Sequence, residues 1–306
     1  MTQTAQRLLA DIRKLAPRVT SRAAEIEAGR RIPLDLVEAL RSIGVFRMFV
    51  PQSHGGLELD LPAALEVIGA LGRIDGSLGW TAMIGAGSAI FVPYLPWKIY
   101  DQVYQPGHDY CRLGPACRYG RGSAWRINGR WPFMSGCQHA DWIFGFCVVT
   151  EGGKPLPGPA GEGGPPMLRG FVLPARDWQI EDTWYVAGLK GTGSHHVTLR
   201  DTLVPAANSF DPVSGGQCQP GPLYQAVLWL TPLFHCAFAV GIAEGALDEL
   251  VGLANTGRQQ QRAAVPMRAS EIFQYELGRI EAELRAARSF CRVQAGSHWH
   301  HALAGR

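Results

Sequence analysis

The chain has 306 residues, 46% of them apolar, 18% charged and 9% aromatic, with 37 glycines and 21 prolines. That composition excludes a disordered chain, a coiled coil and a collagen-like repeat, and it can furnish a large core divided among about two or three domains. A net charge of +3, with no window packed with Lys or Arg, provides no field for nucleic acid, so partners have to be read from sites.

Apolar residues in TAQRLLADIRKLAPRVTSRAAEIEAG recur at three- and four-residue spacing and predict a helix, kinked at Pro17. A second helix starts at Pro33 and stops at Gly44, a third begins at Leu61, and a fourth is capped by Asp75 or Ser77. From Tyr110 to Pro205 the texture becomes short Trp-, Phe-, Val- and Ile-rich runs, which predicts an antiparallel β domain. Within it, Asn128-Gly129 in WRINGRWPF is a hairpin signal, and the Gly- and Pro-dense Gly152–Pro166 stretch is expected to be a long, mobile hairpin loop in which neither helix nor strand persists. The helical period returns in Tyr224–Ala243 and continues to Gly257. A final helix from Ser270 carries a Glu281–Arg285 pair, with Ile272, Ile280, Leu284 and Phe290 along its apolar face. Helices, strands, then helices argue for an α+β chain with domains at 1–107, 108–210 and 211–306.

Seven cysteines without a C-x-x-C pair, and an N-terminus that mixes acids and bases through its apolar positions, point to a reducing cytoplasm and no signal peptide. The charge-free run Tyr224–Ala243 contains Gln225, Pro232 and His235. It is flanked by Asp211, Glu244, Asp248 and Glu249, the reverse of a positive-inside anchor. It reads as a buried core helix, as does Gly76–Trp97, which is broken by glycines and by Pro93 and Pro96; no membrane partner is expected.

Chemistry is sparse. Gly85-Ala86-Gly87 sits inside a helical pattern and reads as helix packing, not as a dinucleotide loop. Gly188–Val197, GLKGTGSHHV, can offer backbone N–H groups with Thr192 and Ser194, or simply form a tight turn. In FMSGCQHADW, Ser135 and Gly136 end one run and Trp142 opens the next, a hydroxyl beside an indole that could take a flat ring. His195, His196 and the histidines at 298, 300 and 301 read as solvated side chains, with no metal site expected. No nucleophile elbow appears, and Glu281 and Glu283 fall on different sides of their helix.

The order of the blocks, RIPLDLVEALRSIGVFRMFVPQSHGGLELDL, RIDGSLGW, GRWPFMSGCQHADW, TWYVAGLKGTGSHHV, the acid-then-VP ending at Asp201–Pro205, and RASEIFQYELGRIEAELRAAR together resemble the acyl-CoA dehydrogenase superfamily. Within it they are most similar to the oxygenase components of two-component flavin monooxygenases. The resemblance implies an N-terminal helical domain, a middle β domain and a C-terminal helical bundle, with further helices expected after Arg306. It implies reduced FMN or FAD delivered by a separate reductase, O2 and an aromatic or polyketide-like substrate, and a homodimer or homotetramer. Ser135, Gly136 and Trp142 would lie against the flavin, Thr192 and Ser194 at its polar edge, and Arg258 at the flavin phosphate across a subunit boundary. Ser135 and His139 are the candidates for polar work beside the ring, His139 alternatively capping its own loop. Trp80 would line the substrate side with His235, which otherwise reads as a satisfied core residue. RLGPACRYGRGSAWRING departs from the acyl-CoA dehydrogenase pattern at that point, and LWLTPLFHCAFAVG supplies no carboxylate base. These departures favour the monooxygenase over a dehydrogenase acting on acyl-CoA. The absence of histidine from Gly85–Ser88 motivates a third reading, a non-catalytic flavin-fold binding or assembly protein.

Overall fold

The helix ends of the N-terminal block are set by short polar side chains and glycines. In the computed structural model residues 2–104, 111–119, 124–212, 215–224, 227–259 and 261–305 are described, the side chains of 111–119 and 227–229 excepted. Gln225, Arg306 and the junction at 107/108 fall outside these residues. Helix α1 (Gln3–Thr20) is capped by Thr2, whose hydroxyl accepts from Ala5 N, and it passes through Pro17. The single helix expected to Gly29 is two: beyond the missing Pro17 N–H the chain breaks at Ser21–Arg22 and resumes as α2 (Ala23–Gly29). Helix α3 (Leu34–Ser42) follows Pro33 and stops before Gly44, whose φ of 87° suits glycine. Asp60 caps α4 (Leu61–Ile74) and Asp75 caps α5 (Gly76–Gly87), each carboxylate accepting a backbone N–H at 2.8 Å. Asp75 N also closes the last turn of α4, so one residue forms the corner between the two helices. The short α6 (Trp97–Val103) completes the block.

The middle block is one sheet built from β1 (Cys111–Tyr119), β2 (Ala124–Trp131), β3 (Trp142–Glu151), β4 (Lys154–Pro155), β5 (Leu168–Pro174), β6 (Gln179–Glu181), β7 (His196–Pro205) and β8 (Ser209–Phe210). Its order is β6-β7-β2-β1-β3-β5-β8, with β4 on β3. Its pairs are antiparallel except β1 with β3. The Asn128-Gly129 hairpin does not form, because β2 runs straight through both residues and neither takes the positive φ that such a turn needs. Instead the register against β7 shifts there, and the extra residue lies on β7, where Asp201 has φ 50° and pairs with Arg126 at 2.6 Å. The Gly/Pro-rich stretch does connect the hairpin strands β3 and β5. It also carries strand pairing of its own, in β4 and a Pro157–Pro166 bridge.

Two long helices close the chain, α7 (Val227–Asn255) and α8 (Glu271–Leu303), the latter capped by Ser270 and holding the Glu281–Arg285 pair at 2.7 Å. Helix α7 lies so close to α4 that a Cβ at Gly241 would stand 2.2 Å from Gly69 O, and one at Gly245 2.4 Å from Arg73 O. Arg73 to Asp248, and Arg288 and Arg292 to Glu244 and Glu66, tie the three helices at their edges.

The expected core helix is only partly one. Its span Leu230–Asn255 is long and apolar enough to cross a membrane by length and composition, yet 33% of its apolar window is buried, by one face laid on α4 and α5. The predicted inward face of α8 is likewise not buried, with Ile272 77% and Phe290 67% exposed. Small residues, Cys291, Ala295 and Ala302, are the buried ones on α8.

Gly241→Val should therefore push α4 and α7 apart and cost about 2 kcal/mol or more of unfolding free energy. Gly252→Ala, where nothing lies within 4 Å, should be neutral or stabilising by up to about 1 kcal/mol, as read by chemical denaturation.

Candidate active site

Strand β2 ends at Trp131 opposite Val197 near the start of β7, so the segments 132–139 and 188–195 leave the sheet at the same edge although far apart in sequence. Backbone hydrogen bonds join them: Met134 N to His195 O at 2.9 Å and Gly136 N to Thr192 O at 2.7 Å. Gly136 has φ 71°, a conformation that costs an L side chain about 1–2 kcal/mol. Gly191 packs directly on α2 and α5, where a Cβ would meet Ile26 at 2.2 Å and Ser77 at 2.9 Å.

Within this double loop lies a chain of buried hydroxyls. Thr192 Oγ1 lies 2.9 Å from its acceptor Leu189 O and 2.7 Å from Ser194 Oγ, which donates to Ser135 Oγ at 2.6 Å. Trp80 Nε1, from α5, donates to Ser135 Oγ at 2.9 Å. Ser135, Thr192 and Ser194 are each at most 3% exposed. The Trp80 indole meets His235 and Phe238 of α7 edge-on, with ring centroids 5.5 and 5.2 Å away. Five of the residues singled out from the sequence thus become contiguous, brought together from two β loops and two helices. His235 is exposed and not a core residue. Its Nδ1 lies 2.9 Å from Thr231 O, which can only accept, so the proton is on Nδ1 and Nε2 is left as an acceptor.

Of the remaining candidates, Trp142 and His139 adjoin this chain and Arg258 does not. Trp142 heads β3, half-buried against the core of the helical blocks. Arg258 is exposed and follows the end of α7 at Asn255, which lies about 30 Å along the helix axis from His235. His139 closes the turn after Ser135, its N donating to Gly136 O at 3.0 Å. Among the described residues its Nδ1 is buried without a partner, as is Gln138 Oε1. Burial, with Arg31 and Arg41 nearby, pushes His139 down to about 4. Contrary to the solvated reading, His195 is 3% exposed and its Nδ1 accepts from Thr183 N and Trp184 N at 3.2 and 3.3 Å, while His196 is half-buried. Among the described residues no group of three His, Cys, Asp or Glu could hold a metal ion. A cavity of about 760 Å³ lies elsewhere, among α1, α4, α7 and α8, lined by residues that include Glu66, Arg73, Glu244 and Arg288.

Two residues that position the loops, Arg41 and Arg30, carry no sequence signal, since an isolated charge ordinarily reads as solvated. Arg41 of α3 donates to Asp141 Oδ2 at 3.0 Å and to His139 O at 2.9 Å, holding the end of the first loop. Arg30 grips Asp182 through two hydrogen bonds, at 2.6 and 3.0 Å, and lies over the Tyr185 ring at 4.1 Å. Arg30 and the Tyr185 hydroxyl hold the Asp182 carboxyl at about 2.

The lowered His139 has a defined consequence for stability. The unfolded chain takes up this proton below the ordinary 6.5, the folded chain only near 4, so the contribution is full above pH 6.5 and is lost as pH falls through that window. Between pH 7 and 5 the wild type should lose roughly 2 kcal/mol that His139→Gln does not lose, measured as the difference between their denaturation curves.

The family model for the N-terminal domain of acyl-CoA dehydrogenase matches residues 2–95, and that for the C-terminal domain matches residues 233–306. An indole-3-acetate monooxygenase of Pseudomonas putida is 33% identical over 292 residues, covering 93% of this chain and 71% of the relative. The oxygenase subunit HsaA of a flavin-dependent monooxygenase from Mycobacterium tuberculosis is 32% identical over 79% of this chain and 62% of its own length. The structure of XiaF from Streptomyces sp., in complex with FADH2 and glycerol, superposes with a TM-score of 0.84 at 25% identity, covering 97% of this chain and 76% of that one. With the helical and β blocks in the same order and this level of identity across nearly its whole length, the chain belongs to the acyl-CoA dehydrogenase superfamily, in the branch of flavin-dependent monooxygenase oxygenase components.

Proposed function

We propose that the double loop seats a reduced flavin, FMN or FAD, brought by a separate reductase, and that the chain hydroxylates an electron-rich aromatic small molecule with O2. The observation that carries this reading is the Trp80–Ser135–Ser194–Thr192 hydrogen-bonded chain at the junction of the sheet with α5 and α7. The residues present suit such a group: hydroxyls and backbone for a polar edge, an indole for a flat face, and two buried atoms, Gln138 Oε1 and His139 Nδ1, that lack partners among the described residues. Unpaired polar atoms of this kind cost about 1–3 kcal/mol each unless a further polar group meets them. When bound, the reduced flavin supplies the electrons that activate O2 for transfer of one oxygen atom to the substrate.

The chain's own residues then have separate tasks. Ser135 would present its hydroxyl toward flavin N5, Gly136 would let the backbone approach, Trp142 would cover the ring, and Thr192 and Ser194 would stand behind Ser135. Trp80 and His235 would face the substrate, where His235 Nε2 can take the proton of a phenol O–H or accept a hydrogen bond from an indole N–H. His139, neutral at pH 7, acts in the loop and not as a charged group. The relatives' substrates, indole-3-acetate among them, support an aromatic of that class. Among the described residues the hydrogen-bonded chain contains no carboxylate to take a proton from an acyl-CoA, which favours oxygenation over dehydrogenation.

The same reading makes the protein a cytoplasmic homo-oligomer with blocks at 1–107, 108–210 and 211–306. Arg258, too far along α7 for its own site, would serve a partner subunit's flavin. The exposed Ile272, Tyr275, Phe290 and Val293 on α8 give a second copy an apolar face.

Aerobic turnover with a flavin reductase, NADH and indole or phenol probes under 18O2 tests this reading. One labelled oxygen in the product supports it, whereas NADH consumption with no labelled product from any probe would sink it. Ser135→Ala should lower product per NADH by about tenfold and raise hydrogen peroxide correspondingly.

A further inference from the structure

A hydroxyl has one proton, and that accounting limits what the buried chain can do. Thr192, Ser194 and Ser135 bring three protons to a line of contacts 2.7 and 2.6 Å long, with Leu189 O at one end and the flavin-facing side of Ser135 at the other. Two arrangements satisfy every member. In the first, Ser135 donates to Ser194, Ser194 to Thr192 and Thr192 to Leu189 O, so the remaining lone pair of Ser135 is an outward acceptor. In the second, which has the direction that the structure gives the 2.6 Å bond, Thr192 donates to Ser194, Ser194 to Ser135, and the Ser135 O–H points outward as a donor.

Both ends tolerate the reversal. Leu189 O, left by Thr192 Oγ1 in the second arrangement, keeps Trp184 Nε1 and Thr192 N as donors, each at 3.2 Å. Trp80 Nε1 has only a proton to give and donates to Ser135 in either case. The interchange is a rotation of three hydroxyls, with no covalent bond broken and no proton passed between oxygens.

We propose that this chain is a reversible polarity relay and that Ser194 and Thr192 are positioning residues acting through Ser135. The proposal rests on the reading above that Ser135 faces flavin N5. That nitrogen bears a lone pair when the flavin is oxidised and an N–H when it is reduced, so it asks a partner to donate in one state and to accept in the other. A lone serine in a buried site can meet the second demand only if its own proton has somewhere to go. Ser194, backed by Thr192 and Leu189 O, is that place.

The prediction is asymmetric. Ser194→Ala removes the acceptor for the Ser135 proton, and Thr192→Val removes the acceptor for the Ser194 proton, leaving Ser194 to donate permanently toward Ser135. Both variants should weaken binding of reduced flavin by about tenfold, with oxidised flavin changed less than about twofold. The midpoint potential of the bound flavin should then fall by about 30 mV, tenfold for a two-electron couple. Ser194→Thr, which keeps the hydroxyl, should restore the wild-type ratio.

The experiment is anaerobic titration of the full chain and its variants with oxidised and with dithionite-reduced FMN and FAD, together with the potential of the bound flavin. Loss confined to the reduced form in either variant supports the relay. Equal weakening of both forms, or an unchanged ratio in both variants, overturns it. Wild-type protein that binds neither form of either flavin overturns the flavin reading itself.

Discussion

The hydrogen bond from Gly136 N to Thr192 O, 2.7 Å long, is the constraint on which the site depends. It locks together two loops separated by more than fifty residues of chain, and with the Met134–His195 bond it leaves Ser135 and Ser194 no freedom to part. The bond is available because β2 and β7 pair up to Trp131 and Val197, so both loops emerge from one edge of the sheet. Glycine at 136 completes it, since the left-handed backbone there turns the N–H inward where a side chain would be strained.

The helical block then secures what the sheet arranges. Arg41 fastens the first loop at Asp141 and at His139 O, and Arg30 fastens the segment before the second at Asp182. The absence of a Cβ at Gly191 lets that second loop lie on Ile26 and Ser77, at the surface of α2 and α5. Because α5 is held there, Trp80 can place its Nε1 on Ser135 while its ring edge meets α7. Each contact is individually modest, but together they convert the meeting of three blocks into a site of fixed geometry.

Much of the fold is legible in the sequence because local chemistry and tertiary packing agree. Asp75 caps the helix that it announces, and Ser270 begins the last one. Asn128-Gly129 fails as a signal because strand pairing on both sides of β2, to β1 and to β7, outweighs the preference of two residues for a turn. That misreading bears on the site as well, since only a straight β2 delivers Ser135 next to Ser194. The apolar period of α7 and α8 is real, yet it does not state what covers it: Ile272 and Phe290 lie on a face that one chain leaves exposed. Ser135, Thr192, Ser194, Trp80 and His235 are recognisable as residue types, whereas the contacts joining them depend on strand register and helix crossing, which no local pattern encodes. Arg41 and Arg30 are invisible for the same reason.

If the double loop is the flavin seat, a crystal structure of the full chain grown with reduced FMN or FAD will show isoalloxazine density with N5 within hydrogen-bond distance of Ser135 Oγ and the ring beside Trp142. Flavin bound instead in the cavity among α1, α4, α7 and α8, away from Ser135, would contradict it.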